Sequence, residues 1–181
     1  MRGLLPRAAA IVPGDIRTAM TESELTRLAE LGRNRTVLEI GSYLGASTVA
    51  LASVARKVHA VDPHGPEPRE ELDTTLVPMM RNLLRYGVRD RVTIRVGHST
   101  EIVPLFSPGS FDRRSVEVDL ALARRVIRSG GRIAFHDYGR PGVKQRKRWV
   151  PFAVTEVVDA FAAEIGAEVE EVDTLAVVRI P

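Results

Sequence analysis

The chain contains no cysteine, which removes disulfides, thiolate nucleophiles and cysteine-ligated zinc or iron–sulfur centres from consideration. Any metal would have to be held by carboxylates, carbonyls or the four histidines. The chain also lacks an apolar run near the ~20 residues that a membrane-crossing helix needs. Its opening, MRGLLPRAAAIVPGD, has too short and too interrupted an apolar stretch for a secretion signal, so a cytoplasmic location is expected. Excess charge is scarce as well. The net charge is only +3 despite a pI of about 9.7, too small a surplus to argue for a nucleic-acid partner.

What is present fits one globular domain. In 181 residues, 44% are hydrophobic and 27% charged, enough for a substantial core and too little chain for two domains of ordinary size. We expect a single domain over 1–181, with 1–20 as an N-terminal extension, folding alone or as a compact homo-oligomer.

Local patterns set the order of elements. Thr21 and Glu24 form a capping box ahead of Leu25, Leu28 and Leu31, with Gly32 as the stop. The run Thr36 to Ile40 is β-rich, and a glycine-containing turn leads from it into an apolar helix over 47–56. The alternation continues with a strand over 58–61 ending at Asp62, a helix over 75–86, a strand over 92–96 and a short helix from Ser99. Over 114–128 the recurrence of Val116, Leu120, Ala123 and Ile127 predicts a helix that Gly130 and Gly131 terminate. A strand over 132–135 ends in His136, Asp137 and Tyr138; a helix over 154–165 and strands over 168–172 and 175–180 close the chain. Strands alternating with helices predict an α/β fold, a mostly parallel sheet covered on both faces, with an antiparallel C-terminal hairpin.

In such a sheet, ligands bind outside the carboxyl ends of the strands. The first strand ends in Glu39, Ile40, Gly41, Ser42, Tyr43, Leu44, Gly45, and glycines there let backbone approach a ligand closely. A tight turn in any α/β protein accounts for many such matches. Asp62 makes the pair more specific, because a carboxylate at the end of the next strand can accept both ribose hydroxyls of a nucleoside. Tyr43 stands where the dinucleotide fingerprint requires glycine, which disfavours a nicotinamide-dependent oxidoreductase.

The segments VLEIGSYLGAST, VHAVD, VGHSTEIV and GGRIAFHDYG resemble the class I S-adenosylmethionine-dependent methyltransferases, within them the small O-methyltransferase-like group with EIGS and HDY signatures. The resemblance spans roughly residues 20 to 180. It implies a Rossmann-like doubly wound sheet and S-adenosylmethionine as cofactor. It implies, too, that the loop from Glu39 through Gly41 and Ser42 to Gly45 cradles the methionine part and that Asp62 holds the ribose. The turn at Gly97, His98 and Ser99 then lies beside the adenine, and Ser47 binds the amino-acid carboxylate.

His136 and Asp137 are the catalytic candidates, placed where acceptor and cofactor should meet. The imidazole is suited to act as a base near neutral pH, and Asp137 to hold a hard cation such as Mg2+ or to orient the histidine. The alternative is that His136 only shapes the pocket and Asp137 caps the next segment. His64 reads as a loop residue near the ribose. The run RPGVKQRKRW over 140–149 is a solvated segment or, at the rim of the site, an attractor for an anionic small-molecule acceptor, with Trp149 as a stacking surface.

The family's strand order, 3, 2, 1, 4, 5, 7, 6, requires a central fourth strand. After Phe111 and Asp112 the sequence passes at once to Arg113 and the helical pattern, so that strand is expected to be missing, whether deleted between Asp112 and Arg113 or left out of the sequence as given, in preference to a substitute strand over Val116 to Leu120, whose spacing fits a helix better. Asp112 is then only a junction residue. Two function classes follow: methyl transfer to oxygen of a small molecule, or a nucleoside-binding or assembly protein that kept the fold without the reaction.

Overall fold

The computed structural model describes residues 9–67, 71–102, 111–114, 120, 124–139, 143–145, 148–150 and 154–181, with backbone alone at 100, 111–114, 143–145 and 148–150. In chain order the elements are α1 (Glu22–Gly32), β1 (Thr36–Ile40), α2 (Ala46–Val54), β2 (Lys57–Asp62), α3 (Leu76–Arg85), β3 (Val92–Val96), α4 (Ser99–Ile102) and β4 (Phe111–Arg114). They continue with β5 (Ile127–Phe135), β6 (Val143–Gln145), β7 (Arg148–Val150), α5 (Val154–Ile165), β8 (Val169–Val172) and β9 (Leu175–Arg179).

β1, β2 and β3 form a parallel three-stranded sheet with β2 in the middle. β4, β5, β9 and β8 form a second sheet in that order, parallel between β4 and β5 and antiparallel beyond. β1 and β4 pack side by side, so the strands run 3, 2, 1, 4, 5, 9, 8 across the molecule. This is the expected doubly wound architecture with its closing hairpin, divided between β1 and β4.

The predicted absence of the fourth strand is corrected: a strand is there, four residues long. Phe111 pairs with Ile127, and Arg113 and Arg114 with Arg132 and Ile133, across a register shift. Among the described residues its ladder goes to β5, while β1 lies beside it without a ladder. Asp112 thus lies inside a strand rather than at a junction.

The helix expected over 114–128 is corrected in the same region. Only its ends move: Arg114 ends β4 and Ile127 already belongs to β5, whereas Leu120 and Arg124–Val126 between them are helical; residues 115–119 and 121–123 lie outside the described ones. Gly130 and Gly131 sit within β5 instead of ending a helix. A Cβ on Gly131 would lie 2.5 Å from Ile127 Cγ1 and 2.8 Å from the Arg128 carbonyl oxygen, and Gly130 has φ +72°. Only glycine fits that bend, which carries the strand from its pairing at Ile127 to its pairing at Arg132.

Why the remaining elements form is legible in their burial. α1 starts on a complete capping box: Thr21 Oγ1 accepts from the Glu24 amide, and the Glu24 carboxylate accepts from the Thr21 amide. α2, ASTVALASV, is apolar nearly all round and buried on most of its surface, as expected of a helix wedged between the sheet and α1. Val37, Leu38, Val58, Ala60 and Val61 of the central strands are almost inaccessible to solvent; each large side chain so buried contributes about 1.5–3 kcal/mol. One core packs α1, α2 and α3 on the first sheet, and a second packs α5 on Ile133, Phe135, Ala176 and Val178. The carboxyl ends of β1, β2 and β5 then open onto one side of the molecule. No helix among the described residues is long and apolar enough to cross a membrane.

Candidate functional site

A cavity of about 620 Å³ opens at the carboxyl end of β1, with Glu39, Gly41, Ser42, Ser47, His136 and Asp137 in its lining. Its inner wall is apolar, made by Leu28, Leu51, Ala134 and Leu175. Arg17, Thr18, Ala19 and Met20 close another side, so the segment expected to be a mere extension supplies a wall. Ile16 of that segment is buried, and Asp15 anchors it to α3 through an ion pair with Arg85 at 2.7 Å and the Tyr86 hydroxyl, which donates to it. That hydroxyl bond and Arg85 hold the Asp15 carboxyl below its ordinary range.

Glu39 governs the electrostatics of the cavity. It is 5% exposed, and Ser47 Oγ donates to one carboxylate oxygen at 2.5 Å while Thr48 Oγ1 donates to the other at 2.6 Å. Burial nevertheless dominates those two hydrogen bonds and, with Asp62 nearby, pushes the carboxyl up from 4.5 to about 7. Ser47 was expected to bind a cofactor carboxylate; its only proton is already committed to Glu39.

The raised Glu39 has a consequence for stability. Near and below pH 4.5 the group is protonated folded and unfolded alike; above that the unfolded chain ionises first, and stability is lost as pH rises through about 7. Substituting Gln at this position therefore raises the melting temperature, relative to the native chain, more at pH 8.5 than at pH 5. The difference amounts to about 3 kcal/mol, or roughly 6–12 °C in a domain of this size. Thermal unfolding at both pH values checks it, and an equal offset at both would rule out the buried ionisation.

The glycine turn is tied to the neighbouring strand end. Gly41 and Gly45 have φ of +81° and +89°, and Tyr43 between them is itself left-handed at +48°. The Tyr43 amide donates to Asp62 Oδ2 at 2.9 Å and the His64 amide to Oδ1 at 2.7 Å. With its N–H spent on Asp62, Tyr43 offers nothing to a pyrophosphate, in line with the reading against a dinucleotide. Asp62 retains free lone pairs on both oxygens. Behind it His64 is buried, its Nδ1 2.9 Å from Thr75 Oγ1, and burial lowers its pKa.

Gly45, Asp62, His98 and Ser99 do not line the cavity. Gly45 caps α2 beside it. His98 and Ser99 follow Gly97 at the end of β3, where the Gly97 amide donates to the Asp62 carbonyl. The structure therefore gathers two groups: Glu39, Ser42, Ser47, His136 and Asp137 around the cavity, and Asp62, His64, Gly97 and His98 along the adjoining strand ends.

His136 and Asp137 are brought together, with Nδ1 of the one 3.3 Å from Oδ1 of the other, and the histidine side chain is 17% exposed. Asp137 adopts φ +65°, a backbone state that costs a non-glycine residue about 1 kcal/mol or more. Tyr138 is no candidate base: its hydroxyl donates to Asp159 at 2.7 Å, which pushes its pKa up to about 12. The reading missed Glu24, whose carboxylate Oε2 lies 3.5 Å from His136 Nε2. A capping-box glutamate has a sufficient local explanation, and nothing in the sequence marks this one as buried.

A family model described as a methyltransferase domain matches residues 38–138, more than half of the chain, from the third residue of β1 to Tyr138. The chain belongs to that family. This methyltransferase domain is 33% identical over 149 residues to the catechol O-methyltransferase of Mycobacterium tuberculosis, covering 71% of the chain and 65% of the relative. It thus spans just under two thirds of that protein's length. Among solved structures it is similar to the cofactor-bound Rv0187 from MTB, with a TM-score of 0.68, 22% identity and coverage of 92% and 84% of the two chains. It is similar, too, to the O-methyltransferase TomG from Streptomyces achromogenes in complex with SAM, at 0.64, 20%, 90% and 82% respectively. These likenesses establish the Rossmann-like methyltransferase fold.

Proposed function

We propose that this chain binds S-adenosylmethionine and transfers its methyl group to an oxygen of a small acceptor molecule. The observation that carries the reading is the single cavity that joins the buried carboxylate of Glu39 to the His136–Asp137 pair, next to a glycine turn tied to Asp62. The catechol O-methyltransferase relative and the SAM-bound neighbour support it.

The residues fit the cofactor's chemistry. Glu39 faces the cavity with a carboxyl that a bound cationic group would draw into its ionised form, Asp62 keeps acceptor sites for ribose hydroxyls, and the left-handed turn at Gly41 brings backbone close. When bound, S-adenosylmethionine supplies a methyl group on a sulfonium, which needs alignment more than activation. The protein's remaining task is the proton of the acceptor hydroxyl, which we assign to His136. The wall of Leu28, Leu51 and Leu175 suits an acceptor with an apolar body. Arg17 at the rim, with the basic run over 140–149, suits one that also carries an anionic group; the side chains of that run lie outside the described residues.

A Mg2+ ion at Asp137 would have to complete its shell from water and acceptor oxygens. Among the described residues no group of three His, Asp or Glu side chains is placed to hold a metal, and no step here is routed through one. A binding protein without turnover is the second reading, favoured by the four-residue β4. Titration calorimetry with S-adenosylmethionine and S-adenosylhomocysteine tests the cofactor assignment, micromolar affinity being expected and no heat at millimolar ligand overturning it. Methyl transfer from labelled cofactor to a panel of phenols and carboxylates separates the two readings.

A further inference from the structure

We propose that Glu24 is a positioning residue for the transfer site, holding the His136 ring in place from behind; this rests on the reading of His136 as the proton acceptor. Glu24 is 0% exposed, and its place in the capping box does not account for that. The box needs only the bond from the Thr21 amide to Oε2, at 2.8 Å, and works equally well at a surface. Burying a carboxylate is costly unless its lone pairs are satisfied. Here the Thr174 amide and the Thr174 hydroxyl both donate to Oε1, each at 2.7 Å. Three of roughly four acceptor positions are thereby filled.

The fourth faces the imidazole. His136 Nε2 is buried and makes no hydrogen bond among the described residues, and it lies 3.5 Å from Glu24 Oε2. Each partner is one bond short, and closing the gap by about 0.5 Å would satisfy both; catalytic hydrogen bonds are often this long before the ligand is bound. A proton on Nε2 leaves Nδ1 as the nitrogen that takes up the acceptor's proton, and Asp137, 3.3 Å from Nδ1, then stabilises the imidazolium so formed.

A second, independent tie supports the same function. The turn between β8 and β9 that donates to Glu24 through Thr174 also accepts, at the Thr174 carbonyl, the amide of Tyr138 at 2.9 Å. Thr21 Oγ1 in turn donates to Asp173 Oδ2 of that turn at 2.5 Å. Glu24 therefore joins the start of α1, the β8–β9 turn and the segment 136–138 into one block. It does not line the cavity, so it acts through His136 and not on the acceptor.

The test compares Glu24→Gln, which keeps the size and removes the charge, with Val88→Ala, which trims the core beside α3 away from Glu24 and His136. Expected for Glu24→Gln is a fall in kcat of about 10- to 100-fold with KM for S-adenosylmethionine changed by less than about threefold. The nitrogen-15 ring resonances of His136 should shift to a different tautomer balance in the same variant. Val88→Ala should lower the melting temperature and leave kcat and those resonances alone. Unchanged His136 resonances in Glu24→Gln, or a kcat loss equal to that of Val88→Ala, overturn the proposal. If Glu24→Gln does not fold, Glu24→Asp, which withdraws the carboxylate by one methylene, is read in the same way. Loss of turnover in His136→Ala without loss in Glu24→Gln rejects the role of Glu24 alone. Retained turnover in His136→Ala rejects the base assignment, and the resonance measurement still decides whether Glu24 sets the ring.

Discussion

Replacing His136 with Ala lowers kcat by about 10²- to 10⁴-fold while changing the affinity for S-adenosylmethionine by less than about threefold, the signature of a lost proton acceptor. The reasoning starts from the reaction. A sulfonium departs readily, so the enzyme gains little by assisting the leaving group, whereas an acceptor hydroxyl must shed its proton as the new bond forms. The described residues offer few other groups for that purpose at the cavity. Glu39 is tied up by Ser47 and Thr48, and Tyr138 keeps its proton on the bond to Asp159. His136 stands at the end of β5 with its ring partly open, and Asp137 lies against Nδ1. Steady-state kinetics alongside calorimetry read the two quantities separately. A kcat within about threefold of native would move the proton elsewhere, as it would if the acceptor atom were an amine nitrogen with a free lone pair.

The second large effect is expected at Asp62. Asp62→Ala weakens binding of S-adenosylmethionine by about 30- to 300-fold, since hydrogen bonds to a charged acceptor are worth about 1.5–3 kcal/mol and more than one is removed. Part of the loss is indirect. Without the carboxylate, the Tyr43 and His64 amides lose their acceptor, and both residues hold left-handed backbone that those bonds stabilise. Asp62→Asn retains one acceptor oxygen and should cost about tenfold. Calorimetry distinguishes the three proteins; an Asp62→Ala affinity within twofold of native removes Asp62 from the nucleoside site.

Much of the frame around the candidate site was legible in the sequence because it is written locally. β-branched and apolar residues over Thr36 to Ile40 marked β1 at its observed limits, and the Thr21–Glu24 pair marked the start of α1. The carboxylate at the end of β2 needed only its position after a strand to be recognised. The region from 111 to 135 was misread for a physical reason. The helical spacing of Leu120 and Ile127 runs past the end of the helical residues, and no periodicity reveals that β5 will reach back to Ile127 and bend at Gly131 to keep its partners.

Glu24 shows the same limit from the other direction. Its sequence neighbours explain it completely as a cap, and its burial beneath His136 is created by Thr174, far along the chain. The sequence by itself determined the alternating elements, the glycine turn, the acidic strand end and the candidate pair at 136 and 137, since propensity, capping and turn chemistry act over a few residues. The tertiary structure alone decided that a four-residue β4 divides the sheet, that Arg17 to Met20 wall the cavity, that Ser47 serves Glu39, and that a capping carboxylate stands behind the histidine. Those outcomes depend on which distant groups share a desolvated space, and the cost of burying a charge is set by partners that no local pattern names.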